Sequence, residues 1–323
     1  RDKIRPELIP YYEIIRDVEA GKDVAIVKVD RGWAVHHVWH NNHRTYYLRV
    51  GTLSREASAE ELERLFQQRG TFRLEVRGVS GSSAEDFDYR RLHDYFQRIR
   101  SQDTPKADDA DAWQNLLLNT EFLIEEDDRK PATVAGLLLF CANPNRFLPQ
   151  AGIDAVAYPG KEKYYAATVL MGKDGIVENG LVEQTVEFVR RNTQVAATLA
   201  DGSRHEQTWT YPEEAVRETI VNALVHRDYL LSGTTVELSI YEDRLEVVSP
   251  GRLPNGITPQ RMVTGCRSAR NQLLKDVMRD YGYLEHMGMG VPPKIVKGMQ
   301  KHNGSTPELV EDEELFTVRL WNR

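Results

Sequence analysis

The stretch from Pro212 to Tyr229 constrains this 323-residue chain more than any other. Pro212 suits the first turn of a helix, and Glu213 and Glu214 complement its positive end. Val216, Ile220, Ala223 and Leu224 recur at helical spacing and form one apolar stripe. Glu218, Asn222 and His226 follow at i, i+4 and i+8, so they line one face. A carboxylate, an amide and an imidazole therefore stand in a row beside an apolar surface. Spacing alone leaves two readings open. The row is either the solvated side of an amphipathic helix or a set of groups that act on a ligand.

The chain then changes period. Residues 234–241 alternate and are β-branched, which predicts a strand. A tight turn at Glu242-Asp243 leads into a second strand over 244–248. That strand ends at Ser249-Pro250-Gly251, a break where backbone can approach a ligand closely. Ser268-Ala269-Arg270-Asn271 and Gly288-Met289-Gly290-Val291 come next, the second running into a helix. Gly-x-Gly before a helix can present N–H groups to phosphate oxygens. No P-loop occurs, because Gly160-Lys161 and Gly172-Lys173 lack the upstream glycine and the following Ser or Thr.

Upstream, alternation predicts strands at 23–29 and 45–50, and Ser58 with Glu61 three residues on predicts a capping box opening a helix that ends near Gly70. Residues 89–100 read as a basic amphipathic helix, 133–140 as an apolar helix, and 181–191 as another helix. Residues 153–158 and 165–170 read as paired strands, and 193–208 as a linker. The expectation is an α+β chain (an α/β sandwich) in three parts, 1–105, 106–200 and 201–323, with the middle part either separate or joined to the third.

The order of the C-terminal blocks resembles the divergent GHKL, or Bergerat-fold, ATPase module. That module occurs in bacterial and archaeal proteins described as transcriptional regulators or as RecG-helicase-like. The resemblance rests on Glu218/Asn222/Ala223/His226/Arg227/Asp228/Tyr229, Asp243/Arg244/Glu246/Ser249/Pro250/Gly251, Arg270/Asn271 and Gly288/Gly290, in that order. It implies ATP and Mg²⁺ as cofactors. Asn222 would hold Mg²⁺ against the phosphates and Glu218 would orient or activate the attacking water. Gly288 and Gly290 would cradle phosphates. Ser249 to Gly251 would sit near the adenine, and His226, Arg270 and Asn271 would complete the nucleotide site. Better-known members place an Asp-x-Gly-x-Gly where this chain has Ser249-Pro250-Gly251. Arg227 and Asp228 have a second reading as a structural ion pair.

The N-terminal part resembles the second half of an AlbA-like domain of the Schlafen type. The cues are Ile9-Pro10, the strand over 24–29, Tyr46-Tyr47-Leu48-Arg49-Val50-Gly51 and Ser54-Arg55-Glu56-Ala57. Relatives with this pairing are described as DNA-binding, which makes Arg44, Arg49 and Arg55 candidate phosphate contacts. The other reading of the three is ordinary surface arginines. The net charge of −7 does not advertise a nucleic-acid binder, but the first hundred residues carry +2 and the remainder −9. Any phosphate-backbone contact is expected in the first part. His36, His37, His40 and His43 fall within eight residues, which raises a zinc site. No cysteine is near them, and adjacent strand residues point to opposite faces.

No run of about 18 apolar residues is present, so no transmembrane helix is expected. Cys141 and Cys266 are the only cysteines, which fits a reducing cytoplasm. The chain has no starting Met, so a longer parent is expected. Together these readings predict a cytoplasmic, homo-oligomeric, ATP-binding regulator with a DNA-binding N-terminal part, no membrane partner, and weak ATP hydrolysis at most. The alternative is a degenerate GHKL scaffold that oligomerises and docks partners without turnover. A nuclease, as in some Schlafen-type relatives, would need acidic residues ahead of Arg1.

Overall fold

The computed structural model describes residues 3–7, 10–19, 21–29, 34–40, 43–68, 72–163, 168–193, 196–200, 204–253, 257–264, 269–284, 290–312 and 314–322. The chain divides into two units, Arg1–Phe72 and Arg73–Arg323.

The first unit is strand-rich. It contains β1 (Ile4–Arg5), β2 (Tyr11–Glu19), β3 (Lys22–Lys28), β4 (His37–His40), β5 (His43–Thr45), β6 (Tyr47–Val50), β7 (Leu53–Glu56) and α1 (Ala59–Gln68). β2–β3 and β6–β7 are antiparallel hairpins, and β1-β4-β5 form a small sheet. The strand expected over 45–50 is split, with Thr45 ending β5 and Tyr47 opening β6. α1 begins as its local chemistry dictates. The Glu61 backbone N–H donates to Ser58 Oγ at 3.2 Å, and the Ser58 N–H donates to Glu61 Oε2 at 2.9 Å. This reciprocal box satisfies two orphan donors at the helix start.

The second unit opens with α2 (Tyr89–His93), which passes into a π-helical turn over Asp94–Ile99, then α3 (Ala110–Asn119) and α4 (Val134–Phe140). The expected single helix over 89–100 thus changes pitch, and the change buries Tyr95 and Phe96 together. The Phe122 and Phe140 rings meet edge-on at 4.9 Å, with Tyr95 and Phe96 beside them. Next come β8 (Ile153–Ala157), β9 (Thr168–Gly172), α5 (Leu181–Asn192), β10 (Ala196–Ala200), β11 (Arg204–Thr208) and α6 (Glu213–His226). β12 (Val236–Ile240), β13 (Arg244–Pro250), α7 (Pro259–Val263), α8 (Gln272–Asp280), a π-helical turn over Val291–Val296, α9 (Lys297–Asn303), β14 (Glu308–Glu311) and β15 (Leu315–Trp321) complete it.

Six strands form one mixed sheet in the order β14-β15-β13-β12-β8-β9. β12 and β8 run parallel, and the other neighbours are antiparallel. The architecture is α+β. Residues 106–200 and 201–323 both contribute strands to this sheet. Two expectations differ from the structure. Residues 73–105 belong with the second unit, because Tyr95 OH donates to Asp280 Oδ2 at 2.8 Å and the Gln272 N–H donates to Glu75 Oε1 at 3.2 Å. The segment expected as a linker carries the antiparallel pair β10–β11, from Ala196 opposite Thr208 to Ala200 opposite Arg204. Among the described residues, no helix is long and apolar enough to cross a membrane.

Candidate functional site

α6 is buried on more than the expected stripe. Ala215, Val216, Thr219, Ile220, Val221, Ala223, Leu224 and Val225 are all buried. Part of this surface packs on β13 and α5, and the helix also meets α8, α9 and the turn at 291–296. A helix covered on several sides loses the apolar–polar contrast that marks a surface helix. The row Glu218, Asn222 and His226 therefore faces the interior of the unit, with Glu218 only 3% exposed.

A narrow cleft lies between the Asn222–His226 end of this row and the sheet. Thr219, Asn222, Ala223 and His226 of α6 form one wall, and Val247, Ser249, Phe316 and Val318 of β13 and β15 form another. Gly251, Arg252, Leu253 and Met262 close the end. Most of the polar groups here are already used. Ser249 Oγ donates to the Ala223 carbonyl at 2.8 Å, and Thr219 Oγ1 to the Ala215 carbonyl at 2.7 Å. Asn222 Nδ2 donates to Glu218 Oε1 at 3.0 Å. Glu218 Oε2 lies 3.7 Å from Lys294 Nζ.

His226 differs from these. It is half-buried, and its Nδ1 is shielded from solvent with no hydrogen-bond partner. Desolvation, reinforced by the positive charges of Lys275 and Arg270, lowers its pKa from 6.5 to about 4. The imidazole is thus neutral at physiological pH. Because the folded pKa lies below the unfolded one, the unfolded chain takes up a proton first as pH falls. Stability from this group is full above about pH 6.5 and is lost on the way down to about pH 4. Between pH 8 and pH 5 the loss is about 2 kcal/mol. Urea unfolding of the His226→Phe variant should lack that part of the pH slope. Parallel pH profiles for variant and wild type would show that His226 does not titrate this way.

Two other expected site residues act on the backbone. Arg270, 5% exposed, donates through Nη1 to the His226 carbonyl at 3.1 Å and through Nη2 to the Arg252 carbonyl at 2.6 Å. Asn271 Nδ2 donates to the Val225 and Arg227 carbonyls at 2.8 and 2.9 Å. Both fasten the C-terminal end of α6 and neither lines the cleft. Arg227 is fully buried, with its guanidinium on the carbonyls of Asp228, Leu231 and Thr234. The carboxylate of Asp228 faces Arg270 at 3.9 Å, so the ion pair at this corner joins Asp228 to Arg270.

The structure brings Asn222, His226, Ser249 and Gly251 to one cleft, and Glu218 touches Asn222 beside it. Gly290 sits on the Glu218 carboxylate, while Gly288 lies outside the described residues. Lys294 was not anticipated; the available signal was a lysine one helical turn beyond Gly290. In the first unit, Arg55 is paired with Glu61 through two bonds of 2.8 and 2.6 Å, which pull the Glu61 carboxyl down to about 2. Arg49 donates to the Gly51 carbonyl and to Ser54 Oγ. Arg44 lies over the Trp39 ring at 5.7 Å. His36 Nδ1 is 2.9 Å from the Pro6 carbonyl oxygen. No group of three or more His, Cys, Asp or Glu side chains among the described residues is placed to hold a metal ion.

Comparison with known proteins adds two likenesses. Residues 233–320 match the family described as "Putative ATP-dependent DNA helicase recG C-terminal", which supports a divergent ATPase-like module there. The match includes Ser249, Gly251 and Gly290 and begins after α6. No curated protein matches. The crystal structure of the DIP2311 protein from Corynebacterium diphtheriae is similar with a TM-score of 0.56 and 20% identity. The likeness covers 97% of this chain and 59% of that one, and at this identity it is a likeness of fold.

Proposed function

We propose that the second unit binds ATP with Mg²⁺ in the cleft beside α6, and that the protein is a nucleotide-dependent regulator whose first unit contacts DNA. The observation that carries the nucleotide reading is the cleft itself. Its apolar walls of Ala223, Val247, Phe316 and Val318 suit a planar base, and its α6 edge leads through Asn222 to Glu218. Concave apolar sites with a few convergent polar groups are the usual form of a ligand pocket. Asn222 bonds Glu218 through its amide nitrogen, and its oxygen is the kind of atom Mg²⁺ takes. Asn222 would hold the ion against the phosphates, and Glu218 would orient the attacking water. Such chemistry depends mainly on positioning and charge. Arg270 and Asn271 would act indirectly, by holding the end of α6.

Calorimetric titration of ATP with and without Mg²⁺ tests the reading. Micromolar, Mg²⁺-dependent binding is expected, weakened in Asn222→Ala. Glu218→Gln should retain binding and lower turnover by about a hundredfold or more. Unchanged turnover would remove Glu218 from the chemistry. The DNA part draws on Arg44 and Arg49, since Arg55 is neutralised by Glu61, and it requires duplex affinity that falls steeply with salt. One observation favours the scaffold reading instead: no carboxylate lines the cleft among the described residues, and Ser249 is committed to Ala223. No heat and no thermal stabilisation at millimolar ATP would make that reading the better one.

A further inference from the structure

Beside the cleft, Glu218 is covered by a segment that the nucleotide reading leaves without a role. Gly290 lies so close to Glu218 that a Cβ on it would fall 1.7 Å from Oε1. One turn further on, Lys294 places Nζ 3.7 Å from Oε2, with a side chain 19% exposed against 3% for Glu218. That distance is an ion pair and is longer than a hydrogen bond. A lysine is a compact charge on a flexible stem, so it can exchange one anion for another without moving its helix.

A polyphosphate entering beside Asn222 would bring several negative charges against a buried carboxylate. Like charges at short range in a shielded site repel strongly unless a cation joins them. Lys294 stands behind Glu218 rather than in the cleft wall, and the one cation among the cleft's described lining residues, Arg252, is at the opposite end. Its carbonyl accepts from Arg270, which also holds the His226 carbonyl, whereas Glu218 is two helical turns back along α6. Arg252 is also 60% exposed and lies 3.8 Å from Glu311.

Building on the nucleotide reading, we propose that Lys294 is a phosphate-binding residue, which leaves Glu218 for the polyphosphate when the nucleotide binds. The proposal fixes the direction of the ligand, with phosphates at Lys294 and the base toward His226. It also couples binding to exposure of the Glu218 carboxylate.

The test is calorimetry of ATP and of adenosine on the whole chain, comparing wild type with Lys294→Met, Lys294→Arg, Glu218→Gln and the double variant Glu218→Gln/Lys294→Met. Methionine keeps the apolar stem, and circular dichroism checks each fold. Lys294→Met should weaken ATP about tenfold, the size of one charge-assisted contact, and leave adenosine unchanged within about twofold. Lys294→Arg should restore most of the loss. The double variant removes the buried unpaired carboxylate, and it should still bind ATP about tenfold more weakly than Glu218→Gln. Equal ATP affinity in those two would mean that Lys294 only neutralises Glu218, and the proposal would fall alone. An equal loss for adenosine would overturn it too. Absence of ATP binding by the wild type would defeat the nucleotide reading and this inference together.

Discussion

Replacing Arg270 with methionine should lower the stability of the second unit by about 3–5 kcal/mol. The guanidinium is buried and holds three things at one corner: the His226 carbonyl at the end of α6, the Arg252 carbonyl after β13, and the carboxylate of Asp228. Methionine fills much of the same space but leaves two part-buried acceptors and a 3% exposed carboxylate without their donor. Removing one partner of a buried pair strands the other charge, and that is the larger part of the cost. Asp228→Asn in the same background should therefore recover part of the loss. Arg270→Lys should recover little, since an ammonium cannot reach two carbonyls and a carboxylate as a planar fork does. Urea denaturation of the four proteins measures all of this. A loss below about 1 kcal/mol for Arg270→Met, typical of a surface pair, would show that the corner is not held this way.

Arg270 also marks how far the sequence could be read. Arg270-Asn271 stood out as a motif, and the resemblance assigned it to the nucleotide. The side chains serve carbonyls 18 to 46 residues earlier in the chain. Nothing local specifies such a partner, because every backbone carbonyl is the same acceptor and only the fold chooses among them. The hidden face of α6 was illegible for a related reason. Glu218, Asn222 and His226 at helical spacing look alike whether water or protein lies opposite. What lies opposite them, β13 and β15 across the cleft from Asn222 and His226 and the Gly290–Lys294 segment on Glu218, comes later in the chain.

Local chemistry was legible where the structure depends on neighbours. The Ser58–Glu61 box and the β12–β13 hairpin about Glu242-Asp243 are each written within a few residues. The strand β9 was expected over 165–170 and runs over Thr168–Gly172, where its register is set by β8. The β10–β11 pair was missed because 193–208 is polar and small-residued, a composition typical of loops. Convergence of Asn222, His226, Ser249 and Gly251 on one cleft was visible only through the order of the blocks.

Gly251→Ala should be as damaging as the loss of Arg270, at about 3 kcal/mol or more. Gly251 has φ +113°, a conformation that L side chains rarely adopt. A Cβ there would lie 2.2 Å from Arg270 Nη1 and 2.6 Å from the Asp228 Cβ. The strand cannot simply retreat, because the Gly251 N–H donates to the Glu314 carbonyl at 2.7 Å and the Pro250 carbonyl accepts from the Asp228 N–H at 2.8 Å. Backbone strain and overpacking therefore add. The two substitutions should not be independent. In an Arg270→Met background the 2.2 Å contact is relieved while the strained φ and the Asp228 contact remain. Gly251→Ala should cost less there than in the wild type, by about 1 kcal/mol or more. Because Gly251 also lines the cleft, its displacement should weaken any ligand held between α6 and β13. Additive losses would mean that the corner relaxes around the methyl group. A loss under about 1 kcal/mol in the wild type would mean that this glycine is not required by the close approach of β13 to the end of α6.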